Sequence, residues 1–285
     1  MTGPPADLHP PRAEDIERWI RAYLEHAPLS LALREINRLI AVEAVAGAAG
    51  PVLDVGCGDG FWWTLRGGDR EIYGIDISAS EIAQAQTRIR AALSDVSRER
   101  PFPTTEFAEI IGNCSLEHVP DIDAALSNLR QAAAPGGRLL MFVPTPRWAY
   151  HGRMQSWLLA HAPRIAMSLS GALNGFFQHW HLYDAKVWTR LLAQNGWQVR
   201  AAYGLGSARS EFLFRAFLPP AFVEFVAKKL TGFYPSKLAR LLPRAALAPA
   251  VRLVRWAVSD PLVAVDSPTA YEYLLIAEAA ELPAR

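Results

Sequence analysis

The sequence predicts an α/β fold in which seven strands form a mostly parallel sheet covered by helices on both faces, with helices ahead of the sheet and helical insertions within it. Three observations lead there. Short apolar runs alternate with stretches of helical period, the pattern of parallel strands joined by crossover helices. Glycines at alternate positions follow the first apolar run in "VLDVGCGDG", residues 52–60. An acid closes the second run in "IYGIDIS", residues 72–78. With 285 residues, 51% of them hydrophobic, the chain is long enough to bury a sizeable core.

In chain order the strands are expected near 51–55, 71–76, 91–94, 107–112, 137–143, 197–203 and 270–278, the third being short. Helical periodicity is clearest at 13–25, 31–46, 79–90, 121–133 and 184–195. Asp121 and Asp184 are placed as N-caps, Ser78 or Ser80 suits the start of the helix at 79–90, and Gly136 and Gly196 sit near helix ends. The whole chain, 1–285, reads as one domain. An N-terminal helical cap (1–46) precedes a ligand-binding core (47–146), an insertion (147–181), more core (182–204), a helical insertion (205–268), and a last strand with its tail (269–285). The Pro-rich opening, to about residue 12, reads as an unstructured leader.

Charge and cysteine usage exclude several classes of function. Lys and Arg number 29 against 28 Asp and Glu, a net charge of +1, so no global field recruits nucleic acid. The first residues hold no apolar core of signal-peptide length, and no stretch reaches eighteen uncharged apolar residues, so a cytoplasmic protein is expected. Cys57 and Cys114 are the only cysteines, too few for a disulfide framework and without metal-ligand spacing.

The glycine loop narrows the ligand. It follows the first strand, at the carboxyl edge where open parallel sheets bind ligands, and glycines let backbone N–H groups approach a nucleotide-like molecule. Gly56, Gly58 and Gly60 give G-x-G-x-G rather than the dinucleotide pattern G-x-G-x-x-G/A, and Phe61 fills the place of the third small residue. These features count against NAD, and the lack of a Lys followed by Ser or Thr after the loop counts against a P-loop as well, though an oxidoreductase with a variant nucleotide loop stays open. Asp76, eighteen residues beyond Gly58, is placed to accept both hydroxyls of a ribose.

Together "VLDVGCGDG", "GIDIS", "LEHVPD" and "APGGRLLMFVP" resemble the class I S-adenosylmethionine-dependent methyltransferases, of the methyltransferase type 11-like kind. The resemblance runs over about residues 50–146 and 178–203. It implies a Rossmann-like sheet and S-adenosylmethionine as cofactor. It assigns Gly56, Cys57, Gly58 and Gly60 to the methionine half of that cofactor, with Asp54 fixing the loop and helping to bind the amino group. Asp76 takes the ribose, Ile77 lies against the adenine, Asp95 accepts from the adenine amino group, and Asn113 and Cys114 line the far side of the methionine tail. The implied strand order makes the first and fourth strands neighbours, which puts Cys57 and Cys114 near the cofactor. Two features depart from the pattern: Ala108 follows Phe107 where relatives often have Asp, and the helix after the glycine loop is cut short before Gly67 and Gly68.

A sulfonium methyl is attacked in line by O, N or C, so the protein mainly supplies alignment and a dry site. His118, at the exit of the fourth strand, is the candidate general base for a hydroxyl acceptor. His179, His181 and Tyr183 in "FQHWHLYDAKVW" are expected at the acceptor pocket. The two histidines point the same way on an extended chain and could hold a metal with Glu117 or His118, but no complete ligand set can be read and no metal is assigned. Between 209 and 260 nine Lys or Arg stand against three Asp or Glu, interleaved with Phe, Leu and Trp. That composition suits a helical lid over the acceptor or a peripheral contact with an anionic membrane at its inner face. The reading is thus a methyltransferase acting at oxygen on a small-molecule or lipid-linked acceptor. The alternative is a catalytically inactive cofactor-binding protein of the same fold with a regulatory or partner role; oligomeric state is not legible.

Overall fold

The computed structural model describes residues 10–280 apart from 46, 48, 67, 68, 150–152 and 260. Most of the expected leader and the end of the tail, and the pair Gly67 and Gly68, lie outside the described residues. The chain forms two compact units, one of residues 47–203 with 271–285, the other of 2–46 with 204–270.

The first unit is built on the sheet. Strand β1 (Val52–Val55) pairs in parallel with β2 (Ile72–Asp76) on one side and β4 (Phe107–Asn113) on the other. The parallel ladder extends to β3 (Arg90–Leu93) beyond β2 and to β5 (Ala133–Pro144) beyond β4. Strand β8 (Glu272–Ala279) then pairs antiparallel with β5, and β6 (Trp197–Leu205) lies beyond it. Every residue of β1 is buried, as a strand covered on both faces must be. The order β3-β2-β1-β4-β5-β8-β6 reverses direction between β1 and β4, so the loops that follow these two strands open side by side at the carboxyl edge.

Local sequence explains the connecting helices. Helix α3 (Ala79–Ala85) is capped by Ser78, whose hydroxyl accepts from the Glu81 N–H at 3.4 Å. It is shorter than its periodicity suggests. Thr87 and Arg88 donate to the carbonyls of Gln84 and Ala85, at 3.1 and 2.8 Å, tightening the chain into a turn that delivers it to β3. Helix α4 (Ile122–Ala132) is capped by Asp121 and buries Ile122, Ala125, Leu126 and Leu129, one face at helical spacing. Helix α7 (Ala185–Gln194) starts at Asp184, whose carboxylate accepts from the N–H groups of Lys186 and Val187. The insertion after β5 holds α5 (Arg153–His161) and α6 (Pro163–Phe177), tied together by the buried Gln155, which donates to the Ala166 carbonyl and the Ser170 hydroxyl.

The second unit packs α1 (Ala13–Leu24) and α2 (Leu29–Val45) with α8 (Ala208–Thr231) and α9 (Ala248–Ala257). The last two residues of β6 belong to it and pair there with a strand the sequence does not announce, β7 (Leu262–Val263). Two residues are too few to carry a period-two signal. Helix α8 runs through Pro219 and Pro220, and neither these prolines nor Arg215 and Glu224 interrupt its apolar face. Arg215 turns to Glu211 at 2.9 Å and Glu224 accepts from the Ser236 N–H at 2.8 Å, so both charges lie half-buried. Phe212, Pro219, Val223, Val226 and Leu230 then form one exposed stripe at helical spacing. Among the described residues no helix is long and apolar enough to cross a membrane.

Candidate functional site

The loop after β1 is shaped by three separate demands. Gly56 has φ +75°, and a Cβ added there would stand 2.5 Å from the Cβ of Ser115 in the loop after β4. Gly58, at φ +53°, has open space on its side-chain face. The backbone is then closed by a bond from the Gly60 N–H to the Cys57 carbonyl and by a 3-10 turn at Phe61–Thr64, the short helix that the sequence suggests. Trp63 on that turn donates its indole N–H to the buried Asp54 carboxylate at 2.6 Å. Asp54 therefore holds the loop through a tryptophan. The sequence shows Trp63, but its partner emerges only from the fold.

Asp76, at the end of β2, supports the same loop from below. One carboxylate oxygen accepts from the Gly58 N–H at 3.0 Å and the other from the Ser78 N–H at 2.8 Å. Each oxygen retains a further lone pair for a ligand hydroxyl. Ile77 beside it is 79% exposed, an apolar side chain held out over the edge of the sheet. The Asp95 carboxylate accepts from the Ser97 hydroxyl and N–H at 2.7 and 3.0 Å and meets Arg98 at 3.1 Å. The Ser97 hydroxyl in particular holds Asp95 below the usual carboxylate range, so it stays ionised.

A cavity of about 290 Å³ joins these groups: Gly56, Asp76, Ile77, Asp95, Cys114 and His118 all line it. Ser94, Val96, Ser115 and Val119 also line it and were not legible in the sequence, because their places depend on how the loops after β3 and β4 meet. Asp54, Cys57, Gly58, Gly60 and Asn113 are not among the lining residues; they form the loop and strand end beside it. The expectation for Cys57 is corrected. Its thiol packs with Ile82 and Ala85 of α3 and would be 2.7 Å from a Cβ at Gly74, so it faces the packing beneath the loop. Burial, with Asp54 and Asp76 near, pushes that thiol well above its ordinary range.

The acceptor candidates divide. A 3-10 turn at Leu116–His118 carries Glu117 and His118 out of β4, and the segment after α6 is pinned to it, because the Trp180 and His181 N–H groups donate to the Glu117 carbonyl at 2.9 and 3.2 Å. His118 and His179 stack with ring centroids 5.2 Å apart. His181 is turned inward instead, and its expected acceptor contact is corrected: Nε2 donates to the Val119 carbonyl at 2.8 Å and Nδ1 lies 3.1 Å from the Tyr183 hydroxyl. Its chemistry is spent on pinning the chain. Tyr183 is its partner and packs on Trp188. Glu117, His118 and His179, without His181, bring donor atoms within 4.8 Å of one another.

A family model described as a methyltransferase domain matches residues 23–202. An uncharacterized methyltransferase of Mycobacterium tuberculosis is 31% identical over 137 residues, 45% of this chain and 65% of its own length. A malonyl-[acyl-carrier protein] O-methyltransferase of Erwinia pyrifoliae is 29% identical over 127 residues, 43% of this chain and 47% of its own. The chain thus spans less than two thirds of the length of these relatives. Among solved structures, the geranyl diphosphate C-methyltransferase of Streptomyces coelicolor superposes with a TM-score of 0.52 at 15% identity, over 85% of this chain and 77% of that one, which shows a common fold. The family match covers more than half of the chain, and the protein belongs to the methyltransferase-domain family of class I S-adenosylmethionine-dependent enzymes.

Proposed function

We propose that this chain transfers a methyl group from S-adenosylmethionine to an oxygen of a small-molecule or lipid-linked acceptor. The observation that carries the reading is the single cavity on which Asp76, Ile77 and Asp95 converge with His118. The residues fit the cofactor: an acid with lone pairs for a ribose, an exposed aliphatic face for a flat base, an ionised acceptor for an amino group, and a glycine loop beside them. When bound, the cofactor supplies a sulfonium methyl open to in-line attack.

The chain's own residues then do three things. Asp76 and Asp95 orient the nucleoside, and Ile77 excludes water from its face. Asp54, through Trp63, keeps the loop at Gly56, Gly58 and Gly60 in place for the methionine half, with Asn113 and Cys114 opposite. His118 holds the acceptor's proton. Its Nδ1 lies 3.2 Å from the Gln178 carbonyl, which can only accept, so Nδ1 carries the hydrogen and the lone pair sits on Nε2. With the cofactor bound, Nε2 would take the hydroxyl proton of the acceptor as its oxygen received the methyl group.

An oxygen acceptor is favoured by this imidazole and by the relative named an O-methyltransferase. Contact of the second unit with an anionic membrane is favoured by the apolar stripe of α8 and the nine basic residues between 209 and 260, against three acids. Incubating the purified protein with S-adenosylmethionine and a metabolite and lipid extract tests the reading. A product heavier by one methylene, formed with S-adenosylhomocysteine and matched by an O-methyl standard, is the expected outcome; S-adenosylhomocysteine at background level overturns it.

A further inference from the structure

We infer that Glu117, His118 and His179 bind one divalent transition-metal cation at the wall of the cavity, and that this cation presents the acceptor oxygen for methylation. The second half rests on the oxygen-transfer reading above and replaces only its proton step, because a cation on His118 Nε2 occupies the lone pair that would otherwise take the hydroxyl proton; the first half does not rest on it.

Three donors of suitable chemistry meet here from distant parts of the chain. One carboxylate oxygen and one nitrogen of each ring lie within 4.8 Å of one another. Two bonds hold the segments together, those from the Trp180 and His181 N–H groups to the Glu117 carbonyl. Gln178, in the left-handed region at φ +54°, turns the chain so that His179 comes over His118.

Hydrogen bonding sets the tautomer of both rings. His118 Nδ1 faces the Gln178 carbonyl, so its lone pair is on Nε2. His179 Nδ1 lies 3.4 Å from the Asn174 side-chain oxygen. That atom is identified as oxygen, rather than the amide nitrogen, by the Trp148 indole N–H, which donates to it at 2.8 Å. His179 Nδ1 therefore also carries the hydrogen, and Nε2 the lone pair. Metal-bound histidines are held in this way, with one nitrogen on the ion and the other N–H on an oxygen behind it. Trp148, edge-on at 4.9 Å, and Phe177, stacked at 5.8 Å, fix the plane of the His179 ring.

Distances and charge agree. His118 Nε2 and the Glu117 carboxylate are 3.6 Å apart, beyond a direct hydrogen bond yet close to the spacing of about 3.3 Å between two ligands of one tetrahedral ion. The widest pair has to close by about 1.5 Å on the same geometry, within reach of side-chain rotation. Glu117 is 1% exposed, and a carboxylate at that depth attracts a cation far more strongly than one in water. Two imidazoles with one carboxylate suit Zn2+, Fe2+ or Mn2+ rather than Ca2+, and three protein ligands leave coordination positions for an exogenous oxygen. With the cation bound, His118 is a ligand, and a hydroxyl on the ion releases its proton to solvent at lower pH than in water.

The test titrates chelator-stripped full-length protein with Zn2+ alone by calorimetry, in parallel with S-adenosylhomocysteine. One Zn2+ per chain is expected, with affinity lowered at least about tenfold in Glu117→Gln and His179→Ala, and about 10–100-fold in Asn174→Ala, which removes the oxygen shared by His179 Nδ1 and the Trp148 indole. S-adenosylhomocysteine affinity within about threefold of the parent shows that a variant is folded. Absence of Zn2+ binding, or equal binding by parent and folded variants, overturns the site while leaving the methyl-transfer reading intact. Loss of S-adenosylhomocysteine binding in the parent would overturn that reading without touching the metal titration.

Discussion

Gly56 and Ser115 meet where the loops after β1 and β4 cross, so closely that a Cβ on the glycine would lie 2.5 Å from the Cβ of the serine. Gly58, two residues on, has nothing within 4 Å of its side-chain position. Gly56→Ala combines a left-handed backbone with a collision and should cost about 2–4 kcal/mol of stability, whereas Gly58→Ala should cost only about 1 kcal/mol. Denaturant unfolding of both variants measures the difference. Equal losses would mean that the loops do not cross as described.

Asp76→Ala should weaken S-adenosylhomocysteine binding by about 1–3 kcal/mol, because ribose hydroxyls lose a charged acceptor and the Gly58 N–H loses its anchor. Asp76→Asn keeps an oxygen and should lose less. Calorimetry ranks the two, and an unchanged affinity in the Ala variant would remove Asp76 from the ribose.

The two histidines His118 and His181 should behave oppositely. His118→Ala is expected to lower turnover about 10²–10⁴-fold with cofactor affinity nearly unchanged. His181→Ala breaks the bond to the Val119 carbonyl and should cost about 1–3 kcal/mol of stability instead. Steady-state rates and thermal unfolding together decide. A loss in turnover below threefold for His118→Ala would reduce that ring to a packing role.

Cys57 and Cys114 should differ in reactivity. Burial and the nearby Asp54 and Asp76 raise the Cys57 thiol, so it stays protonated at neutral pH, and iodoacetamide should modify Cys114 at the cavity wall first. Bound S-adenosylhomocysteine should slow that reaction. The sign for stability follows: the native state keeps its proton where the unfolded thiol, with an ordinary value of about 8.5, gives it up. The contribution is complete below that pH and is lost as pH rises above it. Cys57→Ala should therefore flatten the alkaline fall in stability, and an unchanged slope would argue against a buried neutral thiol.

Sedimentation with anionic vesicles tests the second unit. Lys228, Lys229, Lys237 and Arg240 replaced together by Gln should reduce binding at low salt, each basic residue being worth about 1 kcal/mol near a charged surface. Neutral vesicles should recruit the protein less than anionic ones, by the loss of the electrostatic share alone. Equal partitioning of parent and variant would end the membrane reading.

What the sequence alone determined is what local pattern encodes. The apolar runs and helical periods place the main strands and the helices α1, α2, α4 and α7 within a few residues, while α5, α6, α8 and α9 were legible only as insertions; Asp121 and Asp184 act as caps, and the spacing from Gly58 to Asp76 brings an acid beneath the glycine loop because β1 and β2 are adjacent parallel strands. Side-chain direction was decided by tertiary structure. Cys57 reads as a cofactor residue by its place among the glycines, yet the backbone turn at Gly56 rotates its thiol into the packing with α3. His179 and His181 look alike in an extended segment, two residues apart, but the Val119 carbonyl claims one, while the turn at Gln178 lays the other over His118. The short β7 and the early end of α3 escape for a related reason: a strand of two residues has no period, and a helix stops where the next strand must begin. Periodicity is a property of neighbours along the chain, whereas the partner of a polar side chain is chosen by whichever carbonyl or carboxylate the folded sheet brings within about 3 Å of it.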